Sequence, residues 1–90
     1  MNMSKYKIYF KTSVEKDIRR LPDSVVSQIF KQIEDLIVTP FPSQAVKLRD
    51  TQKSFRIRVK DYRIIYEVDT ENKKITVLYI RHRREAYRNI

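Results

Sequence analysis

Between Ser54 and Val68 apolar and cationic residues alternate along the chain and the pattern then turns back on itself, a combination that few folds can accept. Phe55, Ile57 and Val59 interleave with Arg56, Arg58 and Lys60, the period of a strand with one apolar and one cationic face. A second sheet-forming stretch, Tyr62 to Val68, follows Lys60-Asp61. A tight turn at those residues sets Val59 opposite Tyr62, Arg58 opposite Arg63, Ile57 opposite Ile64 and Phe55 opposite Tyr66. The apolar face is self-consistent in this register, yet like charges directly opposite each other, as Arg58 and Arg63 then are, destabilise a sheet. The expectation is an anion between the two guanidiniums, and phosphate oxygens suit their planar donor forks.

A chain of 90 residues has room for one modest core, so residues 1–90 read as a single domain. No apolar run approaches the ~18 residues needed to cross a bilayer, and Met1-Asn2-Met3-Ser4-Lys5-Tyr6 lacks the apolar segment of a secretory signal. The reading is a cytoplasmic protein with no membrane partner. Without cysteine there is no disulfide, thiolate nucleophile or zinc finger, and the single histidine, His82, cannot build an imidazole metal cluster. No metal and no other cofactor is expected. The absence of glycine also disfavours nucleotide-binding folds that cradle phosphate in Gly-rich loops. A net charge of +9, from 20 Lys+Arg against 11 Asp+Glu, points to a polyanionic partner, nucleic acid foremost.

Along the chain, Tyr6, Ile8 and Phe10 alternate with polar neighbours as a first strand. Thr12 and Glu15 have the spacing of a capping box, which predicts a short helix with Val14, Ile18 and Leu21 on one face. Pro22 ends that helix or opens the next, where Val25, Val26, Ile29, Phe30, Ile33, Leu36 and Ile37 form a broad apolar stripe. Pro40 and Pro42 stop it. Ala45 to Leu48 predict a short strand, the cationic hairpin follows, and Ile75 to Ile80 predict a central strand buried on both faces. The order is β-α-α-β-β-β-β. A four-residue turn at Thr70-Glu71-Asn72-Lys73 pairs Asp69 with Lys74 and Ile64 with Tyr79. That register places Ile80 opposite Arg63 and turns His82 to the face of Arg58 and Arg63.

The segment Tyr79-Ile80-Arg81-His82-Arg83-Arg84-Glu85-Ala86-Tyr87-Arg88 gathers the lone histidine, four arginines and a tyrosine. Metal-free RNA cleavage needs a base for the ribose 2′-hydroxyl, an acid for the leaving oxygen and cations for the charge that develops at phosphorus. These residue types can supply all three, although a histidine among arginines is more often an ordinary surface residue. Tyr62, Tyr66 and Tyr79 read as packing, and Asp61, Glu67, Asp69 and Glu71 as solvated charges near turns. Arg63 differs. A long cation embedded between apolar strand residues is costly unless it has a partner, which favours function there.

Phe55-Arg56-Ile57-Arg58-Val59, Tyr62 to Val68, and Val77-Leu78-Tyr79-Ile80-Arg81-His82-Arg83-Arg84-Glu85-Ala86-Tyr87 together resemble the RelE/ParE superfamily of toxins from toxin–antitoxin modules. The resemblance covers nearly the whole chain. It implies an α+β fold with two N-terminal helices on a twisted, largely antiparallel sheet of four or five strands. RelE-like members are mRNA interferases that cut mRNA in the ribosomal A site, whereas ParE-like members inhibit DNA gyrase without being enzymes. On the RelE-like reading, favoured here, Arg63, His82, Arg83 and Tyr87 are the catalytic set. Arg56, Arg58, Lys60, Arg81 and Arg84 then bind RNA phosphates. The resemblance further implies the ribosome and mRNA as partners, and a cognate antitoxin covering the basic face. Antitoxin-mediated assembly into a higher-order complex is a further expectation.

Overall fold

In the computed structural model, residues 5–49 and 53–82 are described. The elements follow the expected order: β1 (Lys7–Phe10), α1 (Thr12–Arg19), α2 (Asp23–Val38), β2 (Val46–Lys47), β3 (Ser54–Val59), β4 (Tyr62–Asp69) and β5 (Lys74–His82). The strands form one five-stranded sheet in the order β1-β5-β4-β3-β2. Only β1 and β5 run parallel; the other pairs are antiparallel. This is the α+β architecture expected, with two helices on a mixed sheet.

The core lies between the helices and one face of the sheet. Val14 from α1 and Val25, Ile29, Ile33 and Leu36 from α2 pack on Ile57, Val59, Ile64, Tyr66, Val68, Ile75, Val77 and Ile80. The α2 stripe is narrower than its sequence predicts, since Phe30 stays exposed against the ring of Phe10 and Val26 and Ile37 are half-buried. The strand buried on both faces is β4, not β5. Arg63, Ile64, Ile65 and Tyr66 are all buried in the middle of the sheet, whereas β5 alternates between buried and half-buried residues.

Local detail departs from expectation at both helix starts. Lys11 is the N-cap of α1 and makes no side-chain capping bond, so Thr12 lies inside the helix rather than capping it. Pro22 caps α2, its carbonyl accepting from the amides of Val25 and Val26. Without glycine, lysines take the left-handed turn positions, Lys60 at φ 54° between β3 and β4 and Lys73 at φ 53° before β5. The second turn is organised by Asp69, whose carboxylate accepts from the amides of Glu71 and Asn72 and from the Asn72 side chain. The Asn72 side chain, its amide and that of Glu71 hold the exposed Asp69 carboxyl below its usual range.

Candidate nucleic-acid interface

The β3–β4 register follows the sequence reading, with Arg58 opposite Arg63 and Ile57 opposite Ile64. The β4–β5 register does not. It starts with Asp69 opposite Lys74 and reaches Tyr66 opposite Val77, but Ile65 then faces Tyr79, leaving Leu78 as an extra residue in β5. This bulge reverses the faces beyond it. Ile64 therefore faces Ile80 rather than Tyr79, Arg63 faces Arg81 rather than Ile80, and His82 faces Tyr62 on the helix side. The expectation that His82 shares a face with Arg58 and Arg63 is corrected by the one-residue slip.

On the sheet face turned away from the helices, one cross-strand row is then Arg58, Arg63 and Arg81. Arg56 leads the neighbouring row, opposite Ile65, which in turn faces Tyr79. Arg63 sits at the middle of its row with only 7% of its surface exposed. The like-charge opposition is eased by turning the outer two arginines outward. Arg58 bends along its own strand, donating from Nε to the Lys60 carbonyl at 2.9 Å. Arg81 covers the Tyr79 ring at 4.6 Å and donates from Nη1 to both carboxylate oxygens of Asp17 at 2.9 Å. An anion between Arg58 and Arg63 is thus not needed to hold the fold.

Asp17 lies in α1, 64 residues before Arg81. Where β1 ends at Phe10, α1 takes its place beside β5: Ser13 Oγ donates to the Leu78 carbonyl, and the Ile80 amide donates to Asp17 Oδ2. The helix thereby satisfies a strand edge that a β-strand has left. Sequence reading missed Asp17. Its signal was slight, a carboxylate beside the apolar face of an otherwise basic helix. The acidic side chain is 14% exposed and its arginine 29%.

His82 stacks edge-on to Tyr62 with ring centroids 5.2 Å apart. Both line a cavity of about 390 Å³ together with Lys16, Asp17, Arg20 and Arg81. This cavity and the arginine row occupy opposite sides of the same sheet end. Lys60 is exposed at the tip of the β3–β4 turn. Arg83, Arg84 and Tyr87 lie outside the described residues. Tyr66 belongs to the core, as expected: it is fully buried, its hydroxyl donates to the Pro40 carbonyl at 3.0 Å, and burial pushes its phenol up to about 12. Among the described residues no group of three or more His, Cys, Asp or Glu side chains is placed to hold a metal ion, and no helix is long and apolar enough to cross a membrane.

A basic, largely antiparallel sheet with a buried arginine at its centre and two helices on its other face is the architecture of small toxins from toxin–antitoxin pairs. Residues 8–87 match the family model of the ParE toxin of type II toxin–antitoxin systems, parDE. The chain belongs to that family, within the RelE/ParE toxin superfamily and on its RelE-like branch. It is 26% identical over 84 residues to Toxin RelG of Mycobacterium tuberculosis, covering 92% of this chain and 97% of RelG. The toxin in the archaeal RelE–RelB complex from Pyrococcus horikoshii superposes with a TM-score of 0.80 at 27% identity, covering 88% of this chain and 96% of that one. The RelBE2 toxin–antitoxin complex from Mycobacterium tuberculosis gives 0.77 at 25% identity, over 90% and 94% of the two chains.

Proposed function

We propose that this chain is a toxin that halts translation by cutting ribosome-bound mRNA, with a small antitoxin as its inhibitor. The observation that carries this reading is Arg63, a guanidinium buried in the middle of a sheet face whose flanking rows hold further arginines. A buried cation at the centre of a basic surface suits a phosphate that gains negative charge during reaction, because fixed cations in a dry site need little reorganisation. In the proposed reaction the ribose 2′-oxygen attacks the adjacent phosphorus and loses its proton to a base. The bond from phosphorus to the 5′-oxygen breaks, and that oxygen takes up a proton, leaving a 2′,3′-cyclic phosphate and a 5′-hydroxyl.

Arg63 grips the phosphate, with Arg56, Arg58 and Lys60 guiding the RNA backbone. Arg83 and Tyr87 complete the set, Tyr87 as the group that activates the 2′-hydroxyl and Arg83 as a further partner for the developing charge; Arg84 adds to the phosphate contacts. His82, on the helix side of the sheet, is left out of the proton relay. The ribosome positions the substrate. The antitoxin reading draws support from the relatives crystallised with RelB, and the +9 charge favours an inhibitor that is acidic where it touches the toxin.

Expression of the protein alone, followed by sequencing of cellular mRNA 5′ ends, tests this. New 5′ ends spread through coding regions are expected. The matching ParE family model keeps a second reading in view, a non-enzymatic inhibitor of DNA gyrase. Intact mRNA together with disturbed DNA supercoiling would favour it.

A further inference from the structure

Of the three arginines in the cross-strand row, Arg81 alone is tied to a carboxylate from another element. Its backbone position would let the guanidinium lie beside Arg63 on the uncovered face. Instead it wraps around the edge of β5, over Tyr79, to Asp17. The same Asp17 accepts the Ile80 amide immediately before it, so the carboxylate fixes both the strand edge and the arginine that follows. We propose that Asp17 is a positioning residue that withholds Arg81 from bound RNA, so that the uncovered face grips phosphate through Arg58 and Arg63 and the third arginine of the row stays on the helix side.

Two physical consequences make this more than a structural ion pair. A third guanidinium beside Arg63 would raise the repulsion at the buried cation, which the Asp17 pairing removes. It would also add a phosphate contact, strengthening binding wherever RNA is met and not only where the ribosome presents it. Asp17 thereby trades general RNA affinity for a two-arginine grip. The inference rests on the reading that this face holds RNA phosphate, but it does not require that the RNA be cut.

The test is the salt dependence of binding to a short single-stranded oligouridylate, with no cleavage scored. Asp17→Asn keeps an oxygen for the Ile80 amide and removes the charge that holds Arg81. Its slope of log K against log salt should steepen by about 0.7, the value for one additional phosphate on a single strand. Adding Arg81→Gln to Asp17→Asn should abolish the increase. In the unaltered protein, NMR signals of the Arg58 and Arg63 side-chain Nε–H groups should shift on adding the oligonucleotide while that of Arg81 stays in place, a readout independent of whether any variant folds. An unchanged slope in Asp17→Asn, or an Arg81 signal that moves with the other two, overturns the proposal. A slope that also ignores Arg58→Gln would sink the phosphate-binding reading and this inference together, whereas a slope lowered equally by Arg58→Gln and Arg81→Gln would sink the inference alone.

Discussion

Lys60 carries two demands that conflict. As the first central residue of the β3–β4 turn it holds φ at 54°, where a side chain crowds its own backbone, and in the proposed function its ammonium guides RNA. Lys60→Gly should raise stability by about 0.5–1 kcal/mol, because relief of the left-handed penalty outweighs the added freedom of the unfolded chain. Urea unfolding of the variant beside the parent protein measures this, and a lower midpoint would count against the turn geometry. Tyr66 is the opposite case, a side chain with no conflict. Its phenol is raised to about 12 by burial, so between pH 10 and pH 12 the unfolded chain loses this proton while the folded one keeps it. Its contribution is therefore complete below about pH 10 and disappears as pH rises through the folded value. Tyr66→Phe should cost about 1 kcal/mol at neutral pH through the lost bond to Pro40 and should flatten part of the alkaline decline in unfolding free energy. A decline as steep as that of the parent would contradict the assignment.

At the scale of elements, what sequence alone reveals depends on how local its causes are. The β3–β4 pairing was legible because a tight turn and strict alternation leave only one register that buries Ile57, Val59 and Ile64 together. The start of β5 was legible for the same reason. Its second half was not, because Val77-Leu78-Tyr79 is uniformly apolar and has no glycine or proline to mark a bulge. What selects the bulge lies elsewhere: Ser13 and Asp17 of α1 hold the Leu78 carbonyl and the Ile80 amide, contacts spanning 65 and 63 residues. Thr12 and Glu15 misled in a smaller way, since a capping-box spacing fits a helix that begins one residue earlier without using it. Deleting Leu78 tests the bulge directly. It would carry Ile80 to the uncovered face and Arg81 toward the core, a loss on the order of 5 kcal/mol, comparable with the whole stability of a domain this small. The deletion should yield no cooperative thermal transition by circular dichroism; a parent-like melt would mean that β5 can pair without the bulge.

For the whole molecule, the two sides of the sheet divide the work. Burial against α1 and α2 provides the stability, which leaves the other face free to carry a row of arginines that no core would tolerate. The candidate site was only partly legible. Arg56, Arg58 and Arg63 could be placed on one face from alternation, whereas His82 moved to the other face with the bulge and Arg81 was claimed by a helix that local patterns could not connect to it. A protein with a +9 charge and an exposed basic face should be held by an antitoxin with acidic character, and co-expression with the adjacent small reading frame should give a complex that survives purification at moderate salt. Dissociation at that salt would argue for a different inhibitor.

The central claim is that a buried arginine and a terminal tyrosine cut mRNA on the ribosome, and single-turnover cleavage of mRNA on programmed ribosomes tests it most directly. Arg63→Ala should slow cleavage roughly a hundredfold or more, the scale of losing one preorganised electrostatic donor. Tyr87→Phe should slow it about 10²–10⁴-fold if the hydroxyl moves the proton. Ribosome binding should change far less in both, since many cations share it. His82→Gln should stay within about tenfold of the parent, because no acid–base step passes through it. Parent-like rates in both Arg63→Ala and Tyr87→Phe would contradict the account and leave the gyrase-directed reading as the better one.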